Sequence, residues 1–250
     1  MSLTTLSIAN SIATLTIAPP TLGFDLALMN SIARSAEELT DRHPELRAVV
    51  VTSASADFGV GWSPDALASS ELLKSTRAAF DALAELPQPT VAAITGCAHS
   101  AGLELALACD IRVASQGTSF AMPETAEGRS PHGGGTQRLP RAIGRAQALR
   151  LLLTGEEIDA EEAKRIGLVS YVVPNGEEVD TATSIALKIA SHGPLATRFA
   201  KEAIKRGTDM PLDQGLQLEL ELAVLLQTTE DRTEGVRAFI EGRQPNFQGR

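Results

Sequence analysis

One stretch, residues 89–110, constrains the fold of this chain more than any other. It reads PTVAAITGCAHSAGLELALACD. The apolar run at residues 90–95, rich in β-branched side chains, is typical of a buried strand; Gly96 interrupts it, and a helical pattern begins at Ser100. Small residues fill the turn, so another molecule can approach the backbone N–H groups at the start of the helix. The stretch therefore predicts a strand, a tight turn and a helix whose N-terminus is open to a ligand.

The start of this predicted helix carries a carboxylate. Glu104 lies three residues after Ala101 on the same helix face, so its side chain stands beside any group held by the Ala101 N–H. A negatively charged oxygen there is stabilised by the N–H groups and by the helix dipole. An acid in a first turn also has a purely structural interpretation, as a complement to the dipole. With Ser100 as the N-cap, however, the capping-box position is Leu103, so Glu104 does not fit the commonest structural role.

Composition and charge exclude several classes of protein. The chain has 250 residues, of which 43% are hydrophobic and 21% charged, which predicts one globular domain with at most a small appendage. A net charge of −9, a pI near 5.0 and the lack of a Lys/Arg cluster predict no nucleic-acid partner. Without a membrane-spanning apolar run or a signal peptide at residues 1–10, we expect a cytoplasmic protein, or one of a matrix-type compartment, and no membrane partner. Cys97 and Cys109 are predicted to be small buried residues in a reducing compartment, without metal or disulfide.

The order of the remaining patterns predicts an α/β protein. Strand-like and helical patterns alternate: a hairpin at residues 6–17, a helix from the cap Asp25 to about Asp41, a strand at 48–52, a helix at 70–86 and a strand at 111–114. This alternation predicts parallel strand pairing. Residues 118–124 are predicted to be extended, because Pro123 disfavours helical geometry in the residue before it. The loops at 53–64 and 125–135 are candidates for the functional site.

The second half of the chain is predicted to be mainly helical. Asp159 and Glu162 form an acidic cap for a short helix. The helix predicted at residues 211–229 carries apolar side chains around nearly its whole circumference, which indicates burial on several sides. A peripheral helix of a monomer does not need this, so we predict a subunit interface there. The predicted domains are a core of residues 1–190 and a helical region of residues 191–250.

Five segments together carry a resemblance to one enzyme family. They are DFGVGWSPD (57–65), PTVAAITGCAHSAGLELALACD (89–110), FAMPETAEGRSPHGGGTQRL (120–139), LTGEEIDAEEAKRIGLV (153–169) and AFIEGRQPNF (238–247). In order and spacing they resemble the crotonase family, the enoyl-CoA hydratase/isomerase group. The resemblance implies a crotonase/ClpP-like α/β spiral of ββα units with a helical C-terminal trimerisation region, assembled as a homotrimer or a dimer of trimers. It also implies an acyl-CoA thioester as substrate and no metal or redox cofactor.

The resemblance further implies specific site residues. The thioester carbonyl oxygen is expected between the backbone N–H groups of Trp62 and Ala101, which form an oxyanion hole, and the two catalytic acids fall on Glu104 and Glu124. The remaining substrate-binding positions are Gly61, Ser63, Asp65 and His132. Two facing carboxylates can serve as acid and base for the addition of water, because repulsion and burial raise one pKa and leave one group protonated. We assign Glu124 as the principal proton donor and acceptor and Glu104 as the group that orients and activates the water of a 2-enoyl-CoA hydratase.

Four departures from the family pattern bear on the acyl group. Trp62 stands where many members have Ala, Ser63 where many have Asp, and His132 where many have Gly. The run Ser100-Ala101-Gly102 replaces three glycines. Trp62 either lines the acyl pocket against a flat or aromatic group or packs beneath its loop. His132 either enters the site as a titrating group or is a solvated loop residue, which is the expected case.

Other functions fit parts of the same pattern. Isomerisation, decarboxylation and thioester hydrolysis use the same oxyanion device within the family. Residues 98–102 also approach the G-x-S-x-G elbow of the α/β-hydrolases, which would make Ser100 a nucleophile and His192 its base. That motif lacks its first glycine, and the HGGG run at 132–135 follows the serine instead of preceding it. The non-enzymatic alternative is an acyl-CoA-binding protein with a disabled site, against which the two retained acids argue.

Overall fold

The computed structural model describes residues 3–20, 23–41, 43, 45–67 and 70–250, with Ser70 described by its backbone only. The strands are β1 (Thr4–Ala9), β2 (Ile12–Ile17), β3 (Ala48–Ser53), β4 (Thr90–Ile94), β5 (Cys97–His99), β6 (Ile111–Ser115), β7 (Ser119–Ala121), β8 (Ile158–Asp159) and β9 (Tyr171–Val173). The helices are α1 (Leu26–Asp41), α2 (Pro64–Leu67), α3 (Ser70–Ala84), α4 (Ala101–Ala108), α5 (Gly135–Thr154), α6 (Ala160–Arg165), α7 (Glu178–Ala190), α8 (Pro194–Gly207), α9 (Leu212–Gln227) and α10 (Glu230–Glu241). A 3₁₀ turn spans Pro123–Glu127.

Six strands form the main sheet, in the order β1-β2-β3-β4-β6-β9. β1 and β2 pair antiparallel as a hairpin, and its turn residues Asn10 and Ser11 have φ of 53° and 59°, which matches the twist of the two strands. The other neighbouring strands pair in parallel. The predicted hairpin, the α/β class and the parallel pairing are therefore confirmed.

Both faces of the main sheet are covered by other parts of the chain. Along β3, Val49 and Val51 pack into the main core, whereas Val50 points to the opposite face. On that face, α7 contributes Ala182 and Ala186. Strands buried on both sides read as continuous apolar runs, which explains why the central strands were recognisable in the sequence.

A second sheet of three strands has the order β5-β7-β8. β5 follows β4 and leads into α4, while β7 follows β6 and leads through the 3₁₀ turn toward α5. This repeated order of strand, strand and helical segment is the ββα spiral. The predicted tight turn between strand and helix was wrong, because Gly96 bends the chain into the separate strand β5 before α4 begins.

The segment that carries Glu124 also differs from its prediction. Extended structure ends at Ala121, and the 3₁₀ turn begins with Pro123 and is closed by Gly128, whose φ is 71°. Proline suits this position because the first N–H groups of a helical turn have no partner within it. Glu124 therefore lies in a defined helical turn and not in extended or irregular chain.

The C-terminal region consists of α8, α9 and α10. Lys201 of α8 ties it to the body of the protein, since its Nζ lies 2.6 Å from Asp110 Oδ2 and donates to the Gln88 carbonyl at 2.9 Å. On α9, Leu218 and Leu222 are buried. Other apolar side chains of α9 are exposed in the single chain: Leu212, Leu216, Leu220, Val224 and Leu225. The subunit interface and the division into residues 1–190 and 191–250 stay predictions.

Both cysteines are free thiols. Cys109 is buried in the main core, as predicted. Cys97 is partly exposed, because Ala98 is the β5 residue that points into the core and its two neighbours point to the other side. Within the described residues, every helix is too short or too polar to cross a membrane.

Candidate active site

The candidate site is built where β4 leads into β5 and α4. Gly96 has a φ of 61°, and a Cβ at this position would collide with Asp57, so glycine is needed for both the bend and the close packing. Asp57 also holds the bend, since its Oδ1 accepts a hydrogen bond from the Cys97 N–H at 2.7 Å. Ser100 then turns the chain with φ 49° and ψ −116°, and α4 begins at Ala101.

A second loop, residues 57–63, packs against the first turn of α4. Gly59 forms an isolated parallel bridge with Ala98 of β5. A Cβ added to Gly102 would lie 2.5 Å from the carbonyl oxygen of Gly59, so these backbones approach closely only because both residues lack side chains. The loop and the helix start therefore form one packed unit.

Two backbone N–H groups are available in this unit. The Phe24 N–H donates to the Gly61 carbonyl at 2.8 Å, and the Ser63 N–H donates to the Phe24 carbonyl at 2.9 Å, so the intervening Trp62 presents its own N–H on the opposite side. Ala101 is the first residue of α4, where an N–H has no acceptor inside the helix. Neither N–H donates to a protein acceptor within the residues that the structure describes.

Gly61 brings the two N–H-bearing segments together. Its φ is 117°, and a Cβ added to it would lie 3.4 Å from the Ser100 Cβ. Because Gly61 precedes Trp62 and Ser100 precedes Ala101, the candidate oxyanion donors belong to neighbouring segments.

Glu104 is fully buried in the first turn of α4. Its Oε1 accepts hydrogen bonds from the N–H groups of Gly133 at 2.7 Å and Gly135 at 2.9 Å. Its Oε2 is also buried and has no partner among the described residues. The two amides fix the orientation of the carboxylate and leave one oxygen for another group.

Glu124 is equally buried but is held in a different way. Its backbone carbonyl accepts a hydrogen bond from the Arg129 N–H at 2.8 Å, which anchors the 3₁₀ turn. Both side-chain oxygens are buried and lack a hydrogen-bond partner in the described part of the chain. A buried polar group without a partner is rare in folded proteins and needs an explanation, of which a catalytic role is one.

Burial raises the pKa of Glu104 from 4.5 to about 7. Loss of solvation is the largest cause, and the negative charge of Glu124 adds to it. The N–H groups of Gly135 and Gly133 and the positive charge of Arg138 act in the opposite direction. The charge of Glu124 thus acts on Glu104 within the same buried region.

Aromatic rings surround the side chain of Trp62. The His132 ring is stacked on it with a centroid distance of 4.6 Å and an interplanar angle of 25°. Phe24 meets it edge-on at 6.2 Å, and the Phe80 centroid lies 6.4 Å away. The expected solvated His132 was wrong: the ring is partly buried and stacks on the Trp62 indole, and burial lowers the pKa of His132.

Two of the predicted substrate-binding residues, Ser63 and Asp65, lie at the start of α2. Ser63 is buried, and its Oγ accepts a hydrogen bond from the Ala66 N–H at 3.2 Å, as an N-cap does. Asp65 is exposed in the first turn of the same short helix. The observed role of Ser63 is therefore a local structural one.

The loop that holds Glu104 was not singled out for this role in the sequence. Its residues Gly133 and Gly135 supply the two amides, and Arg138 supports the loop by donating from Nη1 to the Gly133 carbonyl at 2.8 Å. Arg138 Nη2 donates to Asp81 Oδ1 of α3 at 2.6 Å. The available signal was three consecutive glycines at the start of a helix, a pattern that exposes backbone N–H groups.

The sequence profile of the enoyl-CoA hydratase/isomerase family matches residues 7–250. The chain belongs to this family. The 2,3-dehydroadipyl-CoA hydratase of Escherichia coli strain K12 is 40% identical over 205 residues, which cover 80% of each chain. The mitochondrial methylglutaconyl-CoA hydratase of Rattus norvegicus is 46% identical over 177 residues, 69% of this chain and 56% of its own.

The family's fold is also shown by a solved structure. The crystal structure of the enoyl-CoA hydratase from Bacillus anthracis superposes with a TM-score of 0.93 at 35% identity and covers 99% of this chain and 100% of its own. The predicted crotonase spiral with a helical C-terminal region is therefore confirmed. An enzyme of the hydratase/isomerase group acting on acyl-CoA is the function that family membership supports.

The structure does not support the serine-esterase interpretation, because His192 is not placed as a general base for Ser100. In the described part of the chain, Ser100 Oγ has no hydrogen-bond partner, and His192 is exposed after the end of α7. No group of three or more His, Cys, Asp or Glu side chains among the described residues is arranged to hold a metal ion. That the reaction needs no metal or redox cofactor stays a prediction.

Proposed function

We propose that the protein hydrates a 2-enoyl-CoA through a thioester enolate, with Glu104 and Glu124 as the acid and base. One observation carries the proposal: two buried carboxyl groups interact, one held by two glycine amides and the other without a hydrogen-bond partner among the described residues. A structural ion pair or cap would satisfy these oxygens with protein donors. The unmatched oxygens instead suit a water molecule and a reacting carbon.

The two unpaired N–H groups of Trp62 and Ala101 suit the oxyanion. When water adds to the β-carbon of the enoyl group, the π electrons move to the thioester oxygen, which becomes negatively charged. Amides aimed at that oxygen, together with the dipole of α4, stabilise the charge as it develops. Stabilisation that grows toward the transition state raises kcat more than it tightens substrate binding.

The two carboxyl groups divide the proton transfers. Glu104, fixed through Oε1, orients the water through Oε2 and polarises it. Glu124 accepts a proton from the water as the new C–O bond forms at the β-carbon, and it delivers a proton to the α-carbon as the enolate collapses. Water is thereby added across the double bond, and both carboxyl groups return to their starting protonation states. With a pKa of about 7, Glu104 can change its protonation state near neutral pH.

The loss of the conjugated-enoyl absorbance of crotonyl-CoA tests this function. We expect Glu124→Gln and Glu104→Gln each to lower kcat by about 10²- to 10⁴-fold, because each removes a proton-transfer or water-activating group. Glu127→Gln is the matched control: it makes the same change at an exposed position of the same 3₁₀ turn and should keep wild-type kcat. Full activity in Glu124→Gln would contradict the proposal.

A panel of acyl-CoA esters distinguishes the other family reactions. Conversion of a 3-enoyl-CoA to the 2-enoyl isomer without hydration, retained in Glu104→Gln, would replace the hydratase by an isomerase. Binding of many acyl chains without turnover would indicate a non-catalytic acyl-CoA-binding protein. The panel should include enoyl esters with a distal carboxylate, since relatives are named for 2,3-dehydroadipyl-CoA and methylglutaconyl-CoA, and aryl esters because of Trp62.

The proposed active form is a homotrimer or a dimer of trimers. Support comes from the apolar side chains that α9 and α10 expose in the single chain, notably Leu212, Leu220, Phe239 and Ile240. Sedimentation equilibrium at micromolar concentration tests the assembly, and a stable monomer would contradict it. The proposed cytoplasmic location is tested by fractionation of the host cell.

A further inference from the structure

We infer that the Ser100 hydroxyl is a third hydrogen-bond donor to the thioester oxygen, beside the N–H groups of Trp62 and Ala101. This inference rests on the proposed function, because it assigns an additional donor to the same oxyanion site. It gives a chemical role to one of the departures from the family pattern, the serine in place of a glycine.

The backbone of Ser100 is strained. Its φ of 49° and ψ of −116° belong to a region that favours glycine, and serine gains nothing there as a cap, because its side chain makes no capping hydrogen bond to α4. Strain of this kind persists where the surrounding structure enforces it, and it concentrates at functional sites.

The hydroxyl itself is buried without a partner. Ser100 is 3% exposed, and its Oγ makes no hydrogen bond within the described residues. Alanine would fill the same space without burying a polar group, and glycine would also relieve the strain. Neither local packing nor helix capping therefore accounts for a serine at this position.

The position of the hydroxyl points to a ligand at the oxyanion site. Ser100 immediately precedes Ala101, and its Oγ lies 3.8 Å from the point that a Cβ on Gly61 would occupy. Gly61 in turn immediately precedes Trp62. The hydroxyl thus belongs to the segment that carries the Ala101 N–H and lies close to the segment that carries the Trp62 N–H.

The chemistry of the oxygen explains when a third donor contributes. A carbonyl oxygen has two lone pairs, which two amide donors satisfy. An enolate oxygen gains a further lone pair and a negative charge, so the Ser100 O–H finds its acceptor as the reaction proceeds. The hydrogen bond is stronger in the transition state than in the bound substrate, and its loss should lower kcat with little change in KM.

Kinetics of Ser100→Ala and Ser100→Gly with crotonyl-CoA test the inference. We expect both variants to lower kcat about tenfold, as for the loss of one hydrogen bond to a charged oxygen, with KM within about twofold of wild type. Alanine keeps the strain and glycine relieves it, so equal losses identify the hydroxyl as the cause. Ser115→Ala is the control: this buried serine at the end of β6 bonds to Thr118, so its replacement should affect stability and leave kcat unchanged. Wild-type kcat in either Ser100 variant would overturn the inference.

A binding measurement separates this inference from the proposed function. Acetoacetyl-CoA forms an enolate with a near-ultraviolet absorbance band, and a spectrophotometric pH titration gives its pKa when bound. Binding to the wild-type protein should lower the pKa of acetoacetyl-CoA below its value in the free ligand. The pKa of the ligand bound to Ser100→Ala should be higher than that of the ligand bound to wild type by about one, which corresponds to a tenfold weaker stabilisation of the enolate. No lowering in wild type would contradict the oxyanion site as a whole. A lowered pKa that is the same in Ser100→Ala would overturn only the role of Ser100. Covalent labelling of Ser100 by a fluorophosphonate would also overturn it, in favour of a nucleophile.

Discussion

The two buried carboxyl groups of the site lie in different kinds of local structure. Glu104 belongs to a regular helix that follows the sheet, and a glycine-rich loop clamps its side chain with two amides. Glu124 belongs to a short 3₁₀ turn, where backbone hydrogen bonds from Gly128 and Arg129 hold the main chain and no described residue holds the side chain. Both side chains are fully buried, so access to solvent does not distinguish them.

This difference in how the two side chains are held separates the positioning of a water molecule from the exchange of a proton. The amides favour the charged form of Glu104, while burial and the neighbouring charge favour its neutral form, and the balance leaves its pKa at about 7. A clamped group of this kind directs one oxygen accurately but has little freedom. A group without protein donors can exchange its proton with a ligand without first breaking a hydrogen bond. The comparison therefore matches the proposed roles of water orientation for Glu104 and proton transfer for Glu124.

Among the changes that test this difference between Glu104 and Glu124, Gly133→Ala is expected to have the largest effect. A Cβ at this position would lie 2.6 Å from Phe80 Cε2 and 2.8 Å from Glu104 Oε2, so the loop must move and the clamp must loosen. We expect kcat for crotonyl-CoA hydration to fall about 100-fold, since a misplacement of about 1 Å can cost this much. Gly128→Ala is the control: it has a φ of 71° and nothing within 4 Å, so it should cost about 1 kcal/mol of stability and leave kcat unchanged. Wild-type kcat in Gly133→Ala would show that the clamp on Glu104 is dispensable.

The sequence was informative wherever one local rule decides the structure. The strand that begins at Thr90 and the helix that contains Glu104 followed from periodicity and small residues, and Asp25 and Asp159 cap their helices as predicted, through bonds of 2.8 Å to the third residue along. These features depend on neighbours in the chain. The family resemblance then supplied the spiral, which no local pattern contains.

The features that escaped prediction depend on contacts between distant segments. β5 has three residues and is specified by its pairing with β7, which its own sequence does not announce. The clamp joins Glu104 to a loop about thirty positions further along, and the stack joins Trp62 to His132 across an even longer separation. Such contacts follow from the assembled tertiary structure, and propensities of short segments carry no information on them.

The pH dependence of stability tests the electrostatic side of the comparison. Because the pKa of Glu104 rises from 4.5 to about 7 on folding, the native state binds more protons than the unfolded chain between these values, and stability falls as pH rises through them. We expect wild type to lose about 2–3 kcal/mol from this group between pH 5 and pH 8. Glu104→Gln keeps an oxygen for both amides but cannot ionise, so it should escape this loss.

Urea unfolding of both proteins at pH 5, 6, 7 and 8 gives the measurement, with protein concentration held constant because assembly also affects stability. The difference between the two curves isolates position 104 from all other titrating groups. If the two free energies of unfolding change in parallel with pH, Glu104 does not carry the raised pKa, and the electrostatic account of the pair is wrong.

The smallest effect is expected at Arg138, which supports the clamp from outside. Arg138→Met removes the bonds to the Gly133 carbonyl and to Asp81 but leaves the Gly133 N–H in place, so we expect kcat to fall only about three- to tenfold. Asp81→Asn is the control, since its amide oxygen still accepts from Arg138 and a partly exposed ion pair contributes little.

The positive charge of Arg138 lowers the pKa of Glu104, so its removal should raise that pKa further and move the rising limb of the kcat–pH profile to higher pH. A loss of kcat without that movement would mean that Arg138 acts only by shaping the loop. If the rising limb moves but kcat at high pH is unchanged, the charge of Arg138 acts on Glu104, and the amides of Gly133 and Gly135 keep their position without Arg138.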